Sequence, residues 1–134
     1  PAIQKLGSKR VILVVGHNGL DELSSTGPNQ LWDVTPNTIK TSLFDPKSIG
    51  IEPESNLAIS GNTAAENARC FKTVFKTGDA THPIAIMVAL NAGLAAYCFG
   101  KTNSIEAGIE TAKSAISSRS AWNQFMSYRA EVCK

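Results

Sequence analysis

The sequence predicts an α/β fold in which one buried parallel strand is followed by a hairpin and then by four helices. Three observations carry this. Val11–Val15 is a continuous apolar, mostly β-branched run without alternation, as in a strand buried on both faces. Leu31–Val34 and Ile39–Phe44 are short strand segments separated by Thr35-Pro36-Asn37-Thr38, which reads as a turn. From Thr63 onward, apolar residues recur at helical spacing between recognisable caps.

The strand run ends in Gly16-His17-Asn18-Gly19, residue types that tolerate unusual backbone angles. The hairpin is read as an addition to the sheet. The stretch 45–54 carries Pro46, Gly50 and Pro53 and is expected to be an irregular connection.

The first helix opens at Thr63-Ala64-Ala65-Glu66, the spacing of a capping box. Ala64, Ala68, Phe71 and Phe75 are expected to line its buried face, and Gly78 to end it. The second starts near Pro83 and is apolar nearly all round to Phe99, so it should be central, with Gly100 as its stop. The third starts at Ser104 and buries Ile105, Ile109, Ala112 and Ile116. The fourth starts at Ser120 and is expected to bury Trp122 and Phe125, as core rather than as a ligand cage.

Composition narrows the function classes. A chain of 134 residues with 43% hydrophobic and 18% charged residues suits one domain with its own core, not a disordered chain. The net charge of +2 is scattered, densest at Lys5, Lys9 and Arg10. That is too thin to imply nucleic acid. Cys70, Cys98 and Cys133 are widely spaced and form no Cys-x-x-Cys, so neither a zinc site nor a disulfide framework is expected, and a cytoplasmic setting is. The apolar run from Ile84 to Phe99 is interrupted by Asn91 and Gly93 and is short for a membrane span. The chain enters a strand soon after Pro1, and one strand cannot make a parallel sheet. Its neighbours are expected from an upstream portion.

The chemistry concentrates in Gly16-His17-Asn18-Gly19-Leu20-Asp21-Glu22. Open α/β sheets bind ligands beyond the carboxyl ends of their strands. Two adjacent carboxylates there can hold a hard cation, and magnesium in particular keeps waters and is shared with substrate phosphates. The glycines allow close backbone approach, and Gly19 is expected to touch substrate. By spacing alone, a solvated acidic turn is the favoured reading of Asp21 and Glu22, because acidic pairs in turns are common. His17 is expected to be a solvated loop histidine and His82 to be structural at a helix start. Asn91 needs hydrogen-bond partners on an apolar helix and is expected to brace a loop near Gly61. Glu66 is read as a cap, not a base.

Gly19-Leu20-Asp21-Glu22 followed by Ser24-Ser25-Thr26-Gly27 resembles the signature of anthranilate phosphoribosyltransferases. The resemblance extends to Leu6-Gly7-Ser8-Lys9-Arg10, to Leu43-Phe44-Asp45-Pro46 with Ile49-Gly50-Ile51, to Gly61 through Ala68, to Leu90-Asn91-Ala92 and to Ile105 through Ile109. It departs where the family often has His-Gly and Asp, here Val15-Gly16 and Asn18, and where it usually has Gly-Gly-Asp, here Ser60-Gly61-Asn62.

The resemblance implies the C-terminal portion of a nucleoside phosphorylase/phosphoribosyltransferase catalytic domain over residues 1–134. It implies transfer of the phosphoribosyl group of phosphoribosyl pyrophosphate to anthranilate, with Asp21 and Glu22 holding a Mg2+ on the pyrophosphate. Displacement at the anomeric carbon by the anthranilate amine needs no protein nucleophile. The family's glycine-rich phosphate loop, anthranilate pocket and N-terminal helical dimer domain have no counterpart in these residues, so the chain alone is expected to be inactive. A homodimer is expected through that N-terminal domain, with no membrane or nucleic-acid partner. Two other readings share the fold: a non-catalytic nucleic-acid-binding relative and a pyrimidine nucleoside phosphorylase.

Overall fold

The computed structural model describes residues 2–53, 60–61 and 63–132. Glu54, Asn62 and Cys133 lie outside them. A short helix α1 (Ala2–Lys5) leads into strand β1 (Val11–Val15), and β2 (Asn29–Val34) and β3 (Ile39–Phe44) form the hairpin. Helices α2 (Ala64–Thr77), α3 (Pro83–Cys98), α4 (Ile105–Ser117) and α5 (Ser120–Val132) follow.

The hairpin register pairs Val34 with Ile39 across the turn, which the Thr35 amide closes by donating to the Thr38 carbonyl at 2.8 Å. β1 pairs with β2 in antiparallel fashion, Val11 opposite Val34 and Val15 opposite Gln30. The parallel pairing expected of Val11–Val15 is therefore absent among the described residues. The sheet order is β1-β2-β3, so β1 lies at an edge.

Nor is β1 buried on both faces. Ile12 and Val14 pack on the core, while Leu13 is 42% and Val15 50% exposed. Apolarity of a strand reports that both faces can be buried; it does not say by what. The outer face holds a cavity of about 310 Å³ lined by Ala2, Ile3, Leu13, Trp32, Val34 and Ile39.

The central position of α3 is confirmed and explains its lack of a polar face. Leu90 and Leu94 join Leu23, Leu31, Phe44, Ile51 and Ile109 beneath the sheet. Ala85 and Ala89 join Val74, Phe75 and Ile116 on the other side. Helices α3 and α4 cross where Gly93 meets Gly108, so closely that a Cβ on either would run into the other helix's backbone.

Local signals account for the helix ends. The Thr63 amide donates to Glu66 Oε2 at 3.0 Å and the Glu66 amide to Thr63 Oγ1 at 3.4 Å, which completes the capping box. Gly78 adopts φ 79° at the end of α2, where a left-handed residue costs glycine nothing. His82 Nδ1 accepts from the Ile84 amide at 3.2 Å, and Ser104 Oγ from the Ala107 amide at 3.1 Å. Within the connection after β3, Asp45 caps a 3-10 turn over Pro46–Ile49 that Gly50 ends.

Two burial expectations fail. Ala64 and Ala68 are exposed, and α2 buries Val74 and Phe75 nearer its end. No residue of α5 is buried, and Phe125 is 37% exposed. Its apolar residues instead complete an aromatic cluster on α2, with Phe71 stacked on Phe75 at 4.6 Å and in edge contact with Phe125 at 5.1 Å.

One ion pair fastens the sheet to α3. Arg10 meets Asp33 through Nε at 2.9 Å and Nη2 at 2.6 Å. It also donates to the Tyr97 carbonyl at 3.1 Å and lies 4.1 Å from that ring's centroid. The hydrogen bond from Arg10 holds the Asp33 carboxyl below the ordinary carboxylate range, against the opposing effect of burial. A carboxyl lowered on folding stabilises the fold above its unfolded pKa, and the gain disappears as pH falls through the folded value. Asp33→Asn should therefore cost up to about 1 kcal/mol at neutral pH, with the difference from wild type closing in acid. Thermal midpoints from pH 7 to pH 2 check this; parallel curves for the two proteins would refute it.

Candidate functional site

The loop after β1 is built by two glycines and two amides. Gly16 is buried, and its amide donates to the Leu20 carbonyl at 2.7 Å. A Cβ there would strike the carbonyl oxygen of Glu22, so the loop folds back on Gly16 because no side chain stands in the way. Asn18 and Gly19 then take left-handed angles, φ 59° and 79°. Gly19 is exposed, with open space where a side chain would stand, and its amide donates to the Gly16 carbonyl at 3.1 Å.

Asp21 and Glu22 come next, adjacent and both exposed. Among the described residues, neither carboxylate is held by another side chain. Glu22 borders a cavity of about 350 Å³ lined by Ile84, Met87, Val88, Asn91 and Ala92 of α3. Immediately afterwards the chain dives inward: Leu23 is fully buried among the core residues.

Asn91 meets Leu23, not Gly61 as expected. Its Oδ1 accepts from the Leu23 amide at 2.8 Å, and its Nδ2 donates to the Leu23 carbonyl at 2.9 Å and to the Met87 carbonyl at 3.0 Å. The cost of a polar residue on an apolar helix is thus met in full, and the loop it braces is the one that carries the carboxylates.

Asn29, fully buried at the start of β2, was not singled out from the sequence. Its Oδ1 accepts from the amides of Ser24 at 2.7 Å and His17 at 3.3 Å. Its Nδ2 donates to the carbonyls of Ser24, Gly27 and Phe44 at 3.0, 3.0 and 3.2 Å. The clue was available: a compact loop of this kind leaves backbone groups that something must satisfy, and Asn29 is the polar residue next to it.

His17 is not a solvated loop residue. Its ring is half-buried against Gly27, where a Cβ would lie 2.7 Å from the ring. It packs the loop and does not face Asp21 and Glu22 as a third ligand. Among the described residues, no group of three or more His, Cys, Asp or Glu side chains could hold a metal. The donor set is therefore two exposed carboxylates. That suits a hard cation that fills its shell with water and substrate oxygens, and does not suit zinc.

No helix among the described residues is long and apolar enough to cross a membrane. Cys70 and Cys98 are free and half-buried.

Comparison with known proteins gives one consistent answer. Residues 1–122 match the model of the glycosyl transferase family, a/b domain. The anthranilate phosphoribosyltransferase of Halalkalibacterium halodurans is 37% identical over 87% of this chain and 34% of its own length. The crystal structure of the Thermus thermophilus enzyme of the same name superposes with a TM-score of 0.82 at 30% identity, over 96% of this chain and 37% of that one. The Saccharomyces cerevisiae enzyme in complex with PRPP and Mg superposes with a TM-score of 0.74 at 26% identity, over 85% and 32%. The chain thus spans about a third of the length of the relatives it matches. With its fold and most of its residues accounted for by that one model, the chain belongs to the glycosyl transferase family, in its a/b domain.

Proposed function

We propose that this chain supplies about a third of an anthranilate phosphoribosyltransferase, and that Asp21 and Glu22 are its contribution to the active site. The observation that carries the reading is the exposed Asp21–Glu22 pair on a glycine-built loop at the end of β1, in a chain that superposes on such an enzyme along nearly its whole length. The reaction is transfer of the phosphoribosyl group of phosphoribosyl pyrophosphate to anthranilate, a step of tryptophan biosynthesis. The same reading takes residues 1–134 as the C-terminal portion of the catalytic domain, a cytoplasmic location, and a homodimer formed through the N-terminal helical domain.

Asp21 and Glu22 fit a magnesium ion shared with the substrate pyrophosphate. When bound there, the ion would neutralise charge on the leaving pyrophosphate. The chain's own residues prepare for that. Gly16 and Gly19 let the loop turn without side chains in the way, so the two carboxylates project into solvent where a polyanion can approach. Leu23, buried next to them, keeps the loop's return path dry and fixed. The open space beside Gly19 leaves room for the substrate to approach.

The test is a pair of activity measurements that follow the loss of anthranilate fluorescence with phosphoribosyl pyrophosphate and Mg2+. The chain alone should consume no anthranilate. A chimera in which it replaces the matching portion of the Thermus thermophilus enzyme should consume it in a magnesium-dependent way. Turnover by the isolated chain would overturn the partial-site reading. A folded chimera that binds anthranilate but turns over none would count against the assignment of the reaction.

A further inference from the structure

The carboxylate pair occupies a span of two residues between two fixed points. Upstream, the Leu20 carbonyl is tied to the Gly16 amide. Downstream, both peptide groups of Leu23 are tied to Asn91, and the Leu23 side chain is sealed in the core. Asp21 and Glu22 are therefore exposed at their side chains but anchored at both ends of their backbone.

We infer that Asn91 is a positioning residue for the cation site: its double hydrogen bond to Leu23 sets the place from which the Asp21 and Glu22 carboxylates reach a divalent cation. The inference rests on the reading of those two residues as cation ligands. Asn91 touches no reacting atom and carries no charge, so it cannot bind the ion by attraction. It acts by removing backbone freedom that two carboxylates on a loose loop would otherwise lose on binding.

The chemistry of the amide suits this. Only a group with a donor and an acceptor can engage both the amide and the carbonyl of one residue. The third bond, to Met87 in the preceding turn of α3, fixes the amide's own orientation. The same helix places Leu90 and Leu94 in one core cluster and Ala85 and Ala89 in the other, so the clamp stands on a helix packed on two sides. Asn29 holds the next stretch of the loop, at Ser24 and Gly27, in the same manner.

The experiment uses the chimera described above, with the residues of this chain isotopically labelled, and Mn2+ with inorganic pyrophosphate as the probe. Paramagnetic broadening of the amides of residues 20–23 reports cation binding, and amide hydrogen exchange at Leu23 reports the clamp. In Asn91→Leu, the Mn2+ concentration for half-maximal broadening should rise about tenfold, the usual scale for losing a group that orients a metal ligand. Leu23 exchange should accelerate at least as much, while Leu90 and Ile109 keep wild-type rates. Asn91→Ala should show the same pattern, and decides the matter if the leucine variant does not fold. Faster exchange with an unchanged Mn2+ midpoint would make Asn91 merely structural and overturn the proposal. Absence of broadening in the chimera with wild-type Asn91 is a separate outcome: it would overturn the cation reading of Asp21 and Glu22 and the inference with it.

Discussion

Exchange of Asp21 for Asn together with Glu22 for Gln is expected to remove the magnesium dependence of substrate binding and to lower turnover of the chimeric enzyme by about 100-fold or more. The magnitude is that of deleting electrostatic groups aimed at charge that develops in a transition state. The two substitutions keep shape and remove only charge. Because both side chains are exposed and held by no other described residue, their effect on stability should stay within about 0.5 kcal/mol. The variant thus separates chemistry from folding, which substitutions deeper in the loop would not. Kinetics that follow the same magnesium titration in variant and parent would end the assignment of these residues to the metal.

The second large effect is structural. Gly93→Val or Gly108→Val should lower stability by about 3 kcal/mol, at the upper end for overpacking, and should lower the thermal midpoint by roughly 10 °C. At each position a side chain meets backbone of the opposing helix, not a side chain that could rotate away. Relief requires α3 and α4 to separate, which would uncover Leu94 and Ile109 together. Gly50→Ala is the matching control: its φ of 76° imposes strain, but its Cβ would enter open space, so the cost should be near 1 kcal/mol. Equal melting of Gly93→Val and Gly50→Ala, followed by circular dichroism, would show that the helices do not cross as described.

Much of the fold was legible because its signals are local. A capping box at Thr63 and Glu66, a left-handed stop at Gly78 and a turn at 35–38 each depend on neighbours a few residues away, and each stands where the sequence places it. The apolar circumference of α3 likewise foretold a central helix, because surface on every side can be buried only between two other layers.

What was not legible depends on partners distant in sequence. That Val11–Val15 pairs antiparallel with β2 is decided by the strand that folds back beside it, not by the residues of β1. Asn91 was marked as needing partners, but its residue type cannot say that they lie 68 residues away at Leu23. Asn29 was not singled out, because its five hydrogen bonds exist only once the loop has closed around it. Of the candidate site, the Asp21–Glu22 pair stands out in the sequence through its adjacency and the resemblance, whereas the framework that holds it does not.

The far edge of β1 has no strand beside it among the described residues, and its consequence reaches beyond the fold to the behaviour of the protein in solution. The opposite edge of the sheet, β3, carries Lys40, Thr41 and Ser42, whose polarity discourages unwanted pairing. Val11–Val15 carries no charge and no proline, and flanking Leu13 and Val15 offer an apolar surface to any extended segment that docks there. Such an edge is a template for self-association. In the isolated chain, pairing between copies would start at the five backbone residues of this margin, and a well-packed helical core gives no protection there.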